Sequence, residues 1–181
     1  MGQECGFRVP RTLITQDFQT LQRFRESING PLIAKKLMGT RYSPLATVEI
    51  DWSNLTPQSV SLCPAIYQEK IESSTHLRVN CFGDRVYCLL IESQCMDWRR
   101  DMEGPFTPYL LENEVCDRLK LILKRLGLEM GIFDLILLPD GQLVWLELNT
   151  QGQFLFGEGK AQYDLTNPFC DFLIETAARR A

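Results

Sequence analysis

Residues 133–149 read FDLILLPDGQLVWLELN: two apolar runs either side of Pro139-Asp140-Gly141, interrupted by Asp134, Glu147 and Asn149. Asp-Gly between β-rich segments is a strong hairpin signal, because both turn residues adopt positive φ. A two-residue loop at Asp140-Gly141 sets Pro139 opposite Gln142, Leu137 opposite Val144 and Asp134 opposite Glu147. Asn149 lies two residues beyond Glu147 and so projects from the same face. A three-residue turn shifts the register and separates the two acids. Like charges opposed across strands are destabilising, by about 4 kcal/mol at ~4 Å and an effective dielectric near 20. Hard oxygen ligands with no His or Cys suit Mg²⁺, usually held by one or two carboxylates and a substrate's phosphates. The stretch reads as a Mg·nucleotide site.

The plainer alternative is a pair of solvated acids on a half-wet hairpin. The neighbours weigh against it. On this register Ile136, Leu138, Leu143 and Trp145 line one face and Leu135, Leu137, Val144, Leu146 and Leu148 the other. Sheets covered on both sides have that pattern, and unpaired acids within them are costly.

The rest of the composition narrows the class. The 181 residues are 45% hydrophobic and 23% charged, which fits one globular domain or two small lobes and builds a core without disulfide staples. With a net charge of −4 and no long basic or acidic run, there is no electrostatic case for nucleic acid or anionic membrane. No apolar stretch approaches the roughly eighteen residues that span a bilayer. The opening MGQECGFRVPRTLIT lacks the regions of an export signal, so a cytoplasmic location is expected. Seven cysteines, an odd number with no CxxC spacing, are expected to be reduced and mostly buried. The single histidine, His76, argues further against zinc.

Along the chain, residues 9–14 form a candidate strand, with Pro10 confining it to an edge or a start. Thr15 or Asp17 caps a helix running to about residue 28, and Asn29-Gly30-Pro31 stops it. Residues 32–37 read as a strand, 38–44 as a loop, and 45–50 and 65–71 as further strands. Residues 77–80 and 85–91 form a hairpin across Gly83-Asp84. Thr107-Pro108 suggests the start of a helix to residue 126, with Leu111, Val115, Leu119, Ile122 and Leu126 as its buried stripe and Gly127 as its stop. Asn167-Pro168 opens a last helix whose end carries Arg179 and Arg180. Strands and helices mix irregularly, so the class is α+β rather than a doubly wound sheet.

These segments carry a resemblance. The succession GFRVPRTLIT, IAKKL, YQEKIESSTHLRV, a Gly-Asp hairpin, MDWRR and LGLEMGIFDLILLPDGQLVWLELNTQGQFLF resembles the ATP-grasp ligases. It is most similar to the branch that cross-links ribosomal peptides, the microviridin-type graspetide synthetases. The resemblance runs from Cys5 to Arg179. It implies two α+β lobes, residues 1–66 with the Lys35 strand and residues 67–181 with the metal hairpin, holding ATP and Mg²⁺ between antiparallel sheets. The implied reaction is ATP-dependent activation of a carboxylate as an acyl-phosphate, which an amine or hydroxyl then attacks. The implied substrate is a peptide or small-molecule carboxylate. Phosphoryl transfer of this kind calls for cations and positioning rather than a nucleophilic side chain.

By the same resemblance, Asp134, Glu147 and Asn149 fall on the Mg²⁺ ligands, and Lys35 falls on the lysine that reaches the nucleotide phosphates. Its neighbour Lys36 points to the other strand face. Gln68, Glu69, Lys70 and Ile71 resemble the hinge whose main chain meets adenine. Arg78 and Arg99 match arginines that contact phosphate or the acyl-phosphate, and arginine's planar fork suits such oxygens. His76 stands where related ligases carry an acid for the ribose hydroxyls, and it could donate one hydrogen bond there. Gln151 and Gln153 sit near the metal end. Ordinary readings stand beside these: a solvated edge strand for Lys35, a pair within the 77–91 hairpin for Arg78, a solvated loop for Arg99 and an exposed loop for His76.

The chain departs from the family's pattern in its shorter, glycine-poor loop MGTRYSPL and in starting where the family has already placed an amino-terminal domain. The expectation is a fragment, or a minimal form whose missing domain a partner chain supplies. Two further readings are a non-catalytic ATP-binding or regulatory module and a carboxylate–amine ligase like the ribosomal-protein glutamate ligases.

Overall fold

The computed structural model describes residues 1–37 and 47–180. The loop expected at 38–44 and the start of the strand expected at 45–50 lie outside the described residues. By contacts the chain divides into two units, Pro10–Glu72 and Met1–Val9 with Ser73–Ala181.

Pro10–Glu72 holds β1 (Thr12–Thr15), α1 (Phe18–Glu26), β2 (Leu32–Lys36), β3 (Thr47–Glu49), α2 (Pro57–Ser61) and β4 (Ala65–Glu69). The strands form an antiparallel sheet in the order β1-β4-β2-β3. Asp17 caps α1 by accepting from the Thr20 N–H at 2.7 Å, the expected role for an acid at that position. The short helix α2 escaped the sequence reading although Thr56 and Ser59 form a reciprocal capping box around Pro57. Leu21 of α1, Val60 of α2 and Tyr67 of β4 build one apolar cluster with Leu13, Ala34 and Ala65 packed against it. That cluster covers one face of the sheet. Side chains alternate along strands, so Thr12, Ile33, Lys35 and Gln68 share the other face.

The second unit holds β5 (Thr75–Phe82), β6 (Arg85–Glu92), β7 (Phe106–Tyr109), α3 (Asn113–Arg125), β8 (Met130–Leu137), β9 (Leu143–Asn149), α4 (Leu155–Ala161) and α5 (Thr166–Arg180). Its antiparallel sheet runs β7-β6-β5-β8-β9. The β5–β6 hairpin turns at Gly83-Asp84 with Phe82 opposite Arg85, and Gly83 takes the left-handed φ of +58°. Val115, Leu119, Ile122 and Leu123 of α3 pack on Leu77, Val79, Cys81, Cys88, Phe133 and Leu135, burying one sheet face. Phe82, Leu89 and Ile132, on the other face, pack with Phe154, Leu165 and Phe172 of the α4–α5 region. Near the amino terminus Arg8 bridges to Val144 of β9, where Trp145 N–H donates to the Arg8 carbonyl at 2.8 Å.

Three expectations are corrected here. Thr107-Pro108 does not open a helix: it lies in β7, where Pro108 faces Leu89. An edge strand tolerates the missing N–H, and pairing to β6 outweighs the local signal, so α3 begins only after Glu112. Leu126 is exposed rather than part of the buried stripe, because the chain has left the helix there; Gly127 still ends it, at φ +67°. The cysteines are all free, but only Cys5, Cys81 and Cys88 are buried, and Cys63 and Cys170 are exposed. Burial pushes the Cys81 thiol up to about 12, so it is inert. No helix among the described residues is long and apolar enough to cross a membrane.

Candidate active site

The β8–β9 hairpin reaches the expected acid pair by an unexpected route. Near the turn Leu137 faces Leu143, Ile136 faces Val144 and Leu135 faces Trp145. Leu138 and Gln142 close a three-residue loop, with Leu138 N–H donating to the Gln142 carbonyl at 2.9 Å and Gly141 at φ +84°. That register would separate the acids. An irregularity between Asp134 and Leu135 restores it: Trp145 faces Leu135, Glu147 faces Asp134, and Leu146 is the extra residue of a β-bulge. The bulge also exchanges the faces. Leu143 and Trp145 point toward the α3 side with Leu135 and Leu137, whereas beyond the bulge it is Leu148 that does so. Glu147 and Asn149 therefore emerge on the opposite face, beside Asp134.

On β5 the same alternation places His76, Arg78 and Asn80 on this face. Arg78 faces Asp134 across the β5–β8 ladder and donates from Nη1 to both carboxylate oxygens at 2.8 Å. Its Nη2 donates to the Gln153 carbonyl at 2.7 Å, and its guanidinium lies 5.8 Å from the Trp98 ring centroid. Both partners are 6% exposed. The ordinary reading of Arg78 as a pair within its own hairpin is thus replaced by a longer-range one. Burial pushes the Asp134 carboxyl up to about 6, the Arg78 guanidinium opposes the rise, and Glu147 adds to it. Asn149 Nδ2 donates to Glu147 Oε1 at 2.9 Å, so a cation would meet the carbonyl half of that amide.

Among the described residues no three His, Cys, Asp or Glu side chains gather as a metal cage. The set here is two carboxylates and one carboxamide. It fits a hard divalent cation that takes its remaining ligands from phosphate or water, and such a cation would offset the Glu147 repulsion that adds to the burial-driven rise at Asp134.

Arg99 reaches the group from the 3-10 turn Trp98–Arg100. Asp97 accepts from its Nε at 2.7 Å and its Nη2 at 2.9 Å, and Nη1 lies 4.0 Å from Glu147 Oε1. Arg78, Arg99, Asn149 and Gln153, with Trp98, Met102 and Phe156, line a cleft of about 390 Å³. Gly152 makes room at its wall: a Cβ there would lie 3.0 Å from Asn149 Cβ and 3.2 Å from Arg78 Nη2. The ordinary reading of His76 as an exposed loop residue fails: it stands in β5, 3% exposed. Burial holds its imidazole below the usual range, with Asp97 pulling the other way. Asn80, which is fully buried and donates to the Tyr87 carbonyl at 3.3 Å, was missed. Only the strand alternation that it shares with Arg78 signals it.

In Pro10–Glu72, Lys35 Nζ donates to Gln68 Oε1 at 2.9 Å, and Gln68 Nε2 donates to Thr12 Oγ1 at 2.8 Å. The Gln68 side chain, not only its main chain, therefore belongs to the lysine's surroundings. Lys36 is exposed and alternates away from that face. The N–H groups of Glu69 and Lys70 are engaged by the carbonyls of Arg11 and Pro31, and the Lys70 ammonium pairs with Glu49 at 2.9 Å and Glu72 at 2.8 Å. Ile71 follows β4 in an irregular segment.

No family model and no curated protein matches the chain, but solved structures do. A RiPP-associated ATP-grasp ligase of Chryseobacterium gregarium, in complex with ADP and a leader and core peptide, is 22% identical with a TM-score of 0.85, over 97% of this chain and 57% of its own. The ATP-grasp ligase PsnB, complexed with minimal precursor, Mg and ADP, is 28% identical with a TM-score of 0.77, over 96% of this chain and 55% of its own. The macrocyclase MdnC from Microcystis aeruginosa MRC, bound with precursor peptide MdnA, is 21% identical with a TM-score of 0.81, over 97% and 57%. The chain spans a little over half the length of these proteins. With its two antiparallel sheets, it is an α+β protein of ATP-grasp fold, similar to the microviridin-type RiPP ligases that its sequence resembles.

Proposed function

We propose that the chain acts as an ATP-dependent ligase that activates a carboxylate for attack by an amine or hydroxyl, with a ribosomally made peptide as the substrate. One observation carries this reading. Asp134 and Glu147 oppose each other across a bulged hairpin, Asn149 stands beside them, and Arg78 and Arg99 converge on the same cleft. Acids and arginines crowded in this way suit a polyanion that arrives with its own divalent cation. The likeness to PsnB, solved with Mg and ADP, adds support.

In this reading Asp134, Glu147 and Asn149 hold Mg²⁺, which neutralises phosphate charge when bound. Lys35, oriented by Gln68, is assigned to the nucleotide phosphates. Residues 68–71 are assigned to adenine through main-chain groups, and with the N–H groups of Glu69 and Lys70 engaged, those of Ile71 become the first candidates. His76, buried and with Nε2 lacking a hydrogen-bond partner among the described residues, is assigned to the nucleotide as a polar contact. Arg78 and Arg99 stabilise charge on the transferred phosphoryl group. A substrate carboxylate oxygen attacks the γ-phosphorus of ATP and ADP leaves. The amine or hydroxyl then attacks the acyl carbon, phosphate leaves, and the nucleophile's proton passes to solvent.

Mg·ATP should raise the unfolding temperature of the chain. Glu147→Gln, which removes one charge at nearly constant volume, should abolish the Mg-dependent part of the rise. ADP release that depends on an acidic peptide would support ligation. Nucleotide binding with no ADP release under any peptide and nucleophile would reduce the chain to a binding module.

A further inference from the structure

Asp97 has no assignment so far beyond its contacts, and those contacts are specific. It heads the 3-10 turn Trp98–Arg100 and is 8% exposed. Oδ1 accepts from Arg99 Nε at 2.7 Å and from the Arg99 main-chain N–H at 3.3 Å, and Oδ2 accepts from Nη2 at 2.9 Å. The acid thus grips one whole edge of the guanidinium and the backbone that carries it. The arginine side chain is 48% exposed, and a long cationic side chain in that setting ordinarily samples many rotamers. Here one edge is fixed, and the Nη1 end is left 4.0 Å from Glu147 Oε1, on the cleft shared with Arg78 and Asn149.

We propose that Asp97 is a positioning residue, which locks Arg99 so that its Nη1 end faces the phosphoryl-binding side of the cleft. The inference rests on the ligase reading for the identity of the anion, but the clamp itself does not. Pre-aimed donors act on developing charge without reorganising at the moment of reaction, whereas a donor displaced by about an ångström loses much of its effect. A lysine at position 99 would keep the charge and lose the two-point grip.

The test uses Asp97→Asn, Arg99→Lys and the double variant. The amide introduced by Asp97→Asn keeps an uncharged oxygen for the Arg99 main-chain N–H and Nε–H and turns an NH₂ toward Nη2, which loses its acceptor, so the charged two-point grip is broken. In nitrogen-edited NMR of the chain without nucleotide, the Arg99 Nε–H signal is assigned by its absence in Arg99→Lys. It should be sharp and slowly exchanging in the parent, and shifted and faster-exchanging in Asp97→Asn, where the acceptor is neutral and the Nη2 contact is gone. With Mg·ATP and an acidic peptide, ADP release should fall on the order of ten- to hundredfold in each single variant. The KM for ATP should stay within about twofold, and the double variant should be no slower than Arg99→Lys. An unchanged Nε–H signal in Asp97→Asn overturns the proposal, as do losses that multiply in the double variant. Parent-like turnover in Arg99→Lys overturns it even if Asp97→Asn fails to fold. A parent chain that neither binds Mg·ATP nor releases ADP overturns the ligase reading, and the NMR signal still decides whether Asp97 sets Arg99.

Discussion

The two hairpins of the larger sheet solve different problems. The β5–β6 hairpin is regular: a two-residue turn at Gly83-Asp84 and eight paired positions in unbroken register. The β8–β9 hairpin has a three-residue loop and then a bulge, and the bulge delivers Glu147 to Asp134. In the regular hairpin each residue's face follows from its distance to the turn. In the bulged one, Trp145 and Glu147 differ by two positions yet face opposite sides of the sheet. The departure from regular pairing sits where the acids are, at the centre of the candidate site.

The harshest way to break this contrast is to exchange the two residues beyond the bulge, in the double variant Glu147→Leu with Leu148→Glu. That puts a carboxylate on the face covered by α3 and a leucine toward the site. An unpaired carboxylate packed there should cost about 3–5 kcal/mol. Urea unfolding should show that loss, together with loss of the Mg-dependent stabilisation. A double variant of parental stability would mean that the bulge does not set the faces.

A milder way to sharpen it is pH. The Asp134 carboxyl, pushed up to about 6, binds its proton more tightly folded than unfolded. Its contribution to stability is therefore fully present below about pH 4 and lost as pH rises through about 6, at most about 3 kcal/mol in all. A cation competes with that proton, so the Mg-dependent gain should run the other way, growing as pH rises through 6. Unfolding at pH 5 and 7.5, with chelator and with Mg²⁺, and with Asp134→Asn as the reference, reads both slopes. A Mg²⁺ gain equal at the two values would contradict the account. The smallest effect belongs to the regular hairpin: Gly83→Ala, at φ +58°, should cost about 1 kcal/mol and leave the Mg²⁺ response unchanged.

The sequence made the α+β class, the Gly83-Asp84 turn, the Asp17 cap and the opposition of Asp134 to Glu147 legible, because each depends on local chemistry or on alternation. The acid pair was read from a wrong turn, and the missing residue of register was repaid by a bulge that no motif announces. Thr107-Pro108 misled because a helix start and an edge strand both accept Thr-Pro, and only pairing with β6 decides between them. The ordinary alternative for Arg78 was a pair within its own hairpin, while its carboxylate partner lies on β8, brought alongside β5 by the order of the sheet. The exposed-loop alternative for His76 failed for the same reason, since burial between β6 and β8 is invisible in its neighbours. The Thr12–Gln68–Lys35 chain links three strands of the smaller sheet and could not be read along any of them.

The central claim is that Asp134, Glu147 and Asn149 together hold a divalent cation. A crystal of the chain grown with Mn²⁺ and a non-hydrolysable ATP analogue tests it through the metal's anomalous scattering. The account expects one peak about 2.2 Å from carboxylate oxygens of both Asp134 and Glu147, with the Asn149 carbonyl beside it and Arg78 still in contact with the site. Nucleotide bound with the metal elsewhere, or no metal near the acid pair, would contradict it.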